Sequence, residues 1–275
     1  DRMKIVTLVE NSAMNEAFDS VHGVSFYIET KKHRILFDMG PDDTFIKNAE
    51  ELGIDLKDVD TAIVSHGHHD HGGALERFLD LNDKAKVYIR ESAFENLFSE
   101  KPSREKVYIG LKQILRHEKR IVFTKHFNHL DNGVELFSGV EANRFNPLGN
   151  DHLYKQKGKI LIKDDFDHEQ NLIIKENDKH YLFSGCAHKG IVNIMDHFHK
   201  LKNRYPDTVI GGFHLKQGLS EEDEKESIES LATTLKTSNA HFITGHCTGE
   251  AMSNRLKESL GEAIEPFKSG KTFEF

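Results

Sequence analysis

Apolar positions along the chain fall into short runs, rich in β-branched and aromatic residues, separated by polar turns and by helix-period patterns. Residues 4–9, 24–29 and 34–37 read as three strands, the last two joined by the polar turn 30–33. Residues 42–52 read as a helix with Asp42 or Asp43 as its cap. The apolar run 61–64 predicts a strand, 74–81 a helix and 86–90 another strand. Past residue 91 the rhythm weakens: 94–98 and 108–116 predict helices, 121–123 and 134–137 short strands. Residues 143–154 mix turn formers, amides and rings, and read as a long loop of the kind that covers active sites, or else as a surface excursion. The strand rhythm returns at 159–162, 171–175 and 180–183, with 176–178 as a hairpin turn. A helix from Ile191, a strand at 207–212, a helix over 220–235, a strand at 241–244 and a helix through Leu260 follow. Ser220 caps the second of these helices, and Glu221, Glu222 and Asp223 suit its positive end. Residues 271–275 are a candidate edge strand. Hairpins followed by strand–loop–helix units predict an α/β protein with two sheets between helical layers. No repeat or linker marks a boundary, so residues 3–275 read as a single domain, with about 91–158 as an insertion or lid.

The chemistry concentrates after the strand at 61–64, where the chain reads Ser-His-Gly-His-His-Asp-His-Gly-Gly from Ser65 to Gly73. His66 and His68 alternate and so share one side of an extended segment, while Asp70 and His71 turn toward a neighbouring point. Cationic imidazoles crowded in this way repel one another. A bound transition-metal ion offsets that cost, and neutral imidazole with carboxylate suits zinc, iron or manganese. His69 alone fits a solvated histidine, and Gly67, Gly72 and Gly73 fit tight turns.

Three more histidines, His188, His214 and His246, follow predicted strands and lie near glycines. In an α/β fold such strand ends gather on one edge, so all three are candidate ligands or substrate contacts. Lys189-Gly190 and Thr248-Gly249 each open a predicted helix, whose amides and partial positive charge favour phosphate. Lys189, Asn193 and Thr248 are therefore candidate substrate-binding residues, together with His152 and Tyr154 from the long loop. The alternative for Lys189 is a side chain in solvent.

Composition narrows the partners. With 275 residues the chain can bury a sizeable core, and 37% hydrophobic with 30% charged residues suits a globular protein. A net charge of −8 argues against nucleic acid as the main partner. It leaves room for a local basic pocket and a small anionic substrate. No apolar run approaches the roughly 18 residues of a membrane span, and no signal peptide is visible. Asp1-Arg2 ahead of Met3 reads as a remnant, and a cytoplasmic location is expected. Cys186 and Cys247, the two cysteines, read as reduced residues near the site, with a disulfide between them as the alternative. No feature of the sequence sets an oligomeric state.

His66-Gly67-His68-His69-Asp70-His71, placed after an apolar strand, resembles the His-x-His-x-Asp-His signature of the metallo-β-lactamase superfamily. The resemblance implies a four-layer αβ/βα sandwich with two divalent metal ions, zinc first and iron or manganese as alternatives. It implies that His66, His68 and His188 hold one metal and that Asp70, His71 and His246 hold the other. Where the superfamily commonly carries an Asp, this chain has Cys186, so either Cys186 ligates or His188 takes over and Cys186 packs beneath. Asp38 is implied to hold the loop backbone and a histidine ring from below, and His168 is the candidate for a histidine that the superfamily usually carries one strand earlier. The stretches from Ser184 to Ile194, from Ile210 to Leu215 and from Gly245 to Gly249 resemble one branch. That branch is named after 7,8-dihydropterin-6-methyl-4-(β-D-ribofuranosyl)aminobenzene-5′-phosphate synthase, of methanopterin biosynthesis.

The activity this implies is metal-dependent hydrolysis, phosphodiesterase-like, of a small anionic substrate by a hydroxide that the two metals activate. Asp70 and His214 are the expected catalytic residues, Asp70 orienting the water. The alternative is a synthase-type condensation (a transferase reaction), with the metals as Lewis acids on a phosphate or pyrophosphate leaving group and aromatics of 143–154 stacked on a pterin. A non-catalytic or redox member is a third reading. Flavodiiron-type oxygen reduction needs an acidic residue where His68 stands.

Overall fold

In the computed structural model, which describes residues 3–215 and 220–275, the apolar runs become strands of three sheets. The reading of Asp1-Arg2 as a remnant lies outside the described residues. Two compact units divide the chain: Asp1–Lys125, His152–Gln170 and Lys268–Phe275 form one, His126–Asp151 and Asn171–Phe267 the other.

The first unit is built on a seven-stranded sheet in the order Thr272–Glu274, Lys4–Val9, Ser25–Glu29, Arg34–Phe37, Thr61–Ile63, Lys86–Ile89, Ile121–Phe123. The edge strand at the carboxyl terminus pairs antiparallel with Lys4–Val9. From Arg34–Phe37 onward the pairing is parallel, because helices Thr44–Glu51 and Leu75–Leu81 supply the crossovers that parallel strands need. Val6, Leu8, Tyr27, Leu36, Ala62 and Val87 join Phe45, Ala49, Leu75 and Phe78 in one buried cluster. The alternation of those strand residues is the period-2 pattern of a sheet face. A buried phenylalanine such as Phe78 contributes about 2 kcal/mol. The first helix starts through Asp42, whose carboxylate accepts from the Thr44 N–H at 3.0 Å. Asp43 holds the cap position without a side-chain capping bond, its carboxylate accepting instead from Arg77 Nε at 2.8 Å.

Also in this unit is a four-stranded antiparallel sheet, in the order Ile160–Lys163, Leu153–Lys157, Leu97–Glu100, Lys106–Tyr108. It corrects two expected helices. Residues 94–98 and 108–116 contain only the short turns Glu91–Phe94 and Gln113–His117, with the strands Leu97–Glu100 and Lys106–Tyr108 at their edges and irregular backbone over 109–112. Phe98 pairs with Tyr108 and Tyr154, and these partners, distant in sequence, outweigh the weak local helix signal. The expected loop 143–154 likewise ends in a turn, Leu148–His152, and gives way to the strand carrying Tyr154.

The second unit holds a seven-stranded sheet in the order Ile264–Pro266, His241–Thr244, Thr208–Gly211, Lys179–Ser184, Asn171–Glu176, Val134–Phe137, Phe127–Asp131. The first four are parallel neighbours and the others antiparallel. The Asn177-Asp178 turn has both residues at positive φ, 51° and 63°, the conformation that matches strand twist in a two-residue hairpin. Ile173, Leu182, Val209 and Phe242 cluster with apolar residues of helices Ile191–Lys202, Glu221–Lys236 and Glu250–Leu260. The Ser220 hydroxyl accepts from the Asp223 N–H at 3.2 Å and caps the long helix. No helix among the described residues is long and apolar enough to cross a membrane.

Candidate metal centre

In the first unit the site starts from Asp38, which follows the strand Arg34–Phe37 and is fully buried. Its φ of 60° is left-handed, a conformation that costs a non-glycine residue about 1 kcal/mol. The Ser25 hydroxyl holds it there by donating to the Asp38 carbonyl at 2.8 Å. The Asp38 carboxylate then receives three bonds, all 2.7 Å: the Ser65 N–H on Oδ1, and the Ser65 hydroxyl and His71 Nδ1 on Oδ2. A carboxylate only accepts, so His71 carries its proton on Nδ1 and keeps the lone pair on Nε2. The Ser65 hydroxyl spends its proton on Asp38 and so accepts from His66 Nδ1 at 2.8 Å. One buried carboxylate thus fixes the tautomer of two imidazoles, leaving the lone pair of each on Nε2.

Donor atoms of His66 and His68, and of His66 and His71, lie within 4.8 Å of each other. Burial, ahead of nearby His168, pushes the His68 imidazole down to about 3, so it is neutral, the form in which an imidazole can bind a metal. The Asp70 carboxylate is 3.6 Å from His71 Nε2 and 3.2 Å from His22 Nε2. His69 points outward and is exposed. Among the bonds that hold the loop, the Gly67 N–H donates to His168 Nδ1 at 3.0 Å and the His69 N–H to the Ile109 carbonyl at 2.7 Å. His168 also donates from Nε2 to Asp164 at 2.9 Å. Both of its nitrogens are therefore engaged in positioning the loop, although His68, Asp164 and His168 also lie within donor range of one another.

In the second unit three parallel strands, Lys179–Ser184, Thr208–Gly211 and His241–Thr244, end side by side. The turns beyond them carry Cys186 and His188, His214, and His246 with Cys247. Ala187, His214 and His246 sit at φ of 53°, 49° and 53°, a left-handed conformation that costs each non-glycine residue about 1 kcal/mol. Cys186, His246 and Cys247 present donor atoms within 4.8 Å of one another, and neither cysteine forms a disulfide among the described residues. Burial pushes the Cys247 thiol up, but hydrogen bonds from Cys186 and His214 and the charge of His246 outweigh it and hold it well below its usual range. The His188 ring lies 4.4 Å from that of His214, whose buried Nε2 has no hydrogen-bond partner among the described residues. Asn150 grips His188 twice: its amide donates to the His188 carbonyl at 2.7 Å and its Oδ1 accepts from His188 Nδ1 at 3.0 Å. That pairing puts the His188 proton on Nδ1 and the lone pair on Nε2.

The candidate substrate residues fall into two groups. In the second unit, Asn193 donates to the Arg144 and Lys189 carbonyls, both at 2.8 Å, beside half-buried Lys189. The Thr248 hydroxyl accepts from the Phe213 N–H at 2.9 Å. In the first unit His152 is exposed. The Tyr154 hydroxyl donates to Glu100 at 3.4 Å, and its ring receives the Lys106 and Lys163 ammonium groups. Sequence reasoning did not single out His22, Asn150 or the donor capacity of Cys247. The available signals were the position of Cys247 next to His246 and of Asn150 in a loop dense with amides.

Comparison with known proteins places these features. The model of the Metallo-beta-lactamase superfamily matches residues 19–144. The chain is 30% identical to a 7,8-dihydropterin-6-methyl-4-(beta-D-ribofuranosyl)-aminobenzene-5′-phosphate synthase of Methanocaldococcus jannaschii, covering 100% of this chain and 97% of that protein. The crystal structure of Tm1679, described as a metal-dependent hydrolase of the beta-lactamase superfamily, superposes with a TM-score of 0.84 at 28% identity over 99% of each chain. YhfI from Bacillus subtilis, a metallo-beta-lactamase fold protein, gives 0.59 at 11% identity over the whole of both chains and speaks for the fold alone. With a relative of this identity matched end to end, the chain belongs to the metallo-β-lactamase superfamily and has its fold.

Proposed function

We propose that this chain is a metal-dependent hydrolase of a small phosphate-bearing substrate, acting on phosphodiesters through two divalent ions. The superfamily implies divalent metal binding, and the residues fit it. His66, His71 and His188 each carry their proton on Nδ1 and offer Nε2, while Asp70 supplies a carboxylate and Cys186 a soft sulfur donor. His66, His68 and His188 would hold one ion and Asp70, His71 and His246 the other, with Cys186 beside them. When bound, the ions supply Lewis acidity toward a phosphoryl oxygen and bring a water near neutrality in pKa.

The chain's own residues do the remainder. Asp38 keeps the imidazoles aligned and does not reorganise during the reaction. Asp70 orients the attacking water and takes up its proton. His214 gives a proton to the leaving oxygen from a ring buried against His188. Lys189 and the start of the helix Ile191–Lys202 neutralise the phosphate, with Asn193 and Thr248 holding the two loops in place. Tyr154 and His152 would contact the organic part of the substrate.

A single feature carries this reading: the Asp38 network that pre-orients His66 and His71 next to Asp70. The test is turnover by the metal-reconstituted chain of generic phosphodiesters, phosphomonoesters, thioesters and β-lactams. Phosphodiester cleavage that a chelator abolishes supports the proposal, and turnover of none overturns it. The end-to-end relative named as a synthase favours a second reading, in which the same centre activates a pyrophosphate leaving group for condensation onto a pterin. Tight pterin binding without hydrolysis is the outcome that selects it.

A further inference from the structure

We propose that Cys247 is itself a metal donor, so that Cys186, His246 and Cys247 form a thiolate-rich set that selects a soft ion such as zinc over manganese or magnesium. This deepens the metal-binding reading above and rests on it. The three donor atoms lie within 4.8 Å of one another in one unit. Around a tetrahedral ion with sulfur ligands at about 2.3 Å, two sulfurs stand about 3.8 Å apart, so little movement brings the set together.

Two features hold Cys247 for this role. The His214 N–H points at its sulfur at 3.2 Å, the kind of donor that stabilises a thiolate ligand. Gly212 leaves room for that sulfur: a Cβ at 212 would stand 2.5 Å from it. The thiol's own contact, toward the Cys186 carbonyl, is long at 3.8 Å and little is lost when it deprotonates. Each thiol releases its proton to solvent as its sulfur–metal bond forms, with no change of oxidation state. Two thiolates on one ion favour zinc-like metals, whereas manganese and magnesium prefer oxygen.

The test is titration of the metal-free full chain with cobalt(II), followed by zinc displacement. The wild type is expected to show a near-ultraviolet thiolate-to-cobalt charge-transfer band together with visible ligand-field bands. Cys247→Ser, folded by circular dichroism, should lose about half of the charge-transfer intensity and keep the ligand-field bands, and the double variant with Cys186→Ser should lose all of it. Zinc X-ray absorption of the unmutated protein is an independent check that needs no variant, and two sulfur scatterers per chain are expected. An unchanged charge-transfer band in Cys247→Ser, or one sulfur or none in the zinc protein, overturns the inference. Ligand-field bands without any thiolate band sink it while sparing the metal reading, whereas absence of both sinks the two together.

Discussion

The carboxylate of Asp38 and the ring of His71 meet at 2.7 Å between Oδ2 and Nδ1, with neither side chain exposed to solvent. This contact sets the proton on the far side of the ring from Asp70 and ties the 66–71 loop to the residue that follows the strand Arg34–Phe37. Replacement by Asp38→Asn keeps the volume but puts an amide where only acceptors fit. One of the Ser65 or His71 donors then loses its partner. We expect metal affinity to fall about 10- to 100-fold and stability by about 3 kcal/mol. Zinc competition with a chromophoric chelator and urea unfolding would read the two effects separately.

Asn150 does for His188 what Asp38 does for His71, through a neutral side chain. Asn150→Ala frees the His188 ring to rotate and leaves its carbonyl without the amide. A loss of about 1 kcal/mol in stability and of about tenfold in metal affinity is expected. Asn150→Asp should restore part of the affinity, because an acceptor for Nδ1 remains. Isothermal titration of the metal-free variants checks both.

How far the site could be read from the sequence follows from how local each signal is. His66, His68, Asp70 and His71 declare themselves because their donors share six consecutive residues. The strand-end histidines declare themselves through neighbouring glycines. Asn150 and His22 do not, since the first acts on a ring 38 positions away and the second reaches Asp70 by folding alone. The same reason hid most of the small sheet: of its strands only the one near 160–163 shows in the sequence, whereas strand 153–157 depends on its pairing with that strand and with 97–99. In contrast, Lys179–Ser184 and Thr208–Gly211 are buried along nearly their whole length and are legible from their apolar centres, Tyr181-Leu182-Phe183 and Val209-Ile210.

Gly212 and Cys247 should be energetically coupled. Gly212→Ala places a methyl group 2.5 Å from the Cys247 sulfur and 3.0 Å from the Gly185 carbonyl. A destabilisation of about 1–3 kcal/mol is expected from such overpacking. In a Cys247→Ala background the penalty should shrink by more than about 0.5 kcal/mol. A double-mutant cycle in urea gives that number directly, and strict additivity would show that the sulfur is not the obstacle.

The metal-stripped protein should lose stability in mild acid. Burial pushes His68 from 6.5 to about 3 in the folded chain, so the unfolded chain takes up the proton first. Stability is then full above about pH 6.5 and declines as pH falls toward about 3. The contribution is at most about 1.4 kcal/mol per pH unit. Urea midpoints at about pH 7 and about pH 5 should differ more in the wild type than in His68→Gln. Equal differences would assign the acid sensitivity to other groups.

The metal content of the reconstituted chain tests the proposed two-ion chemistry most directly. Inductively coupled plasma measurement should find about two metal ions per chain in the wild type, as a two-metal centre requires. His66→Ala in the first unit and His246→Ala in the second should each lower that number while circular dichroism stays unchanged. A full complement retained by folded His246→Ala, or a wild type that binds none, would contradict the account.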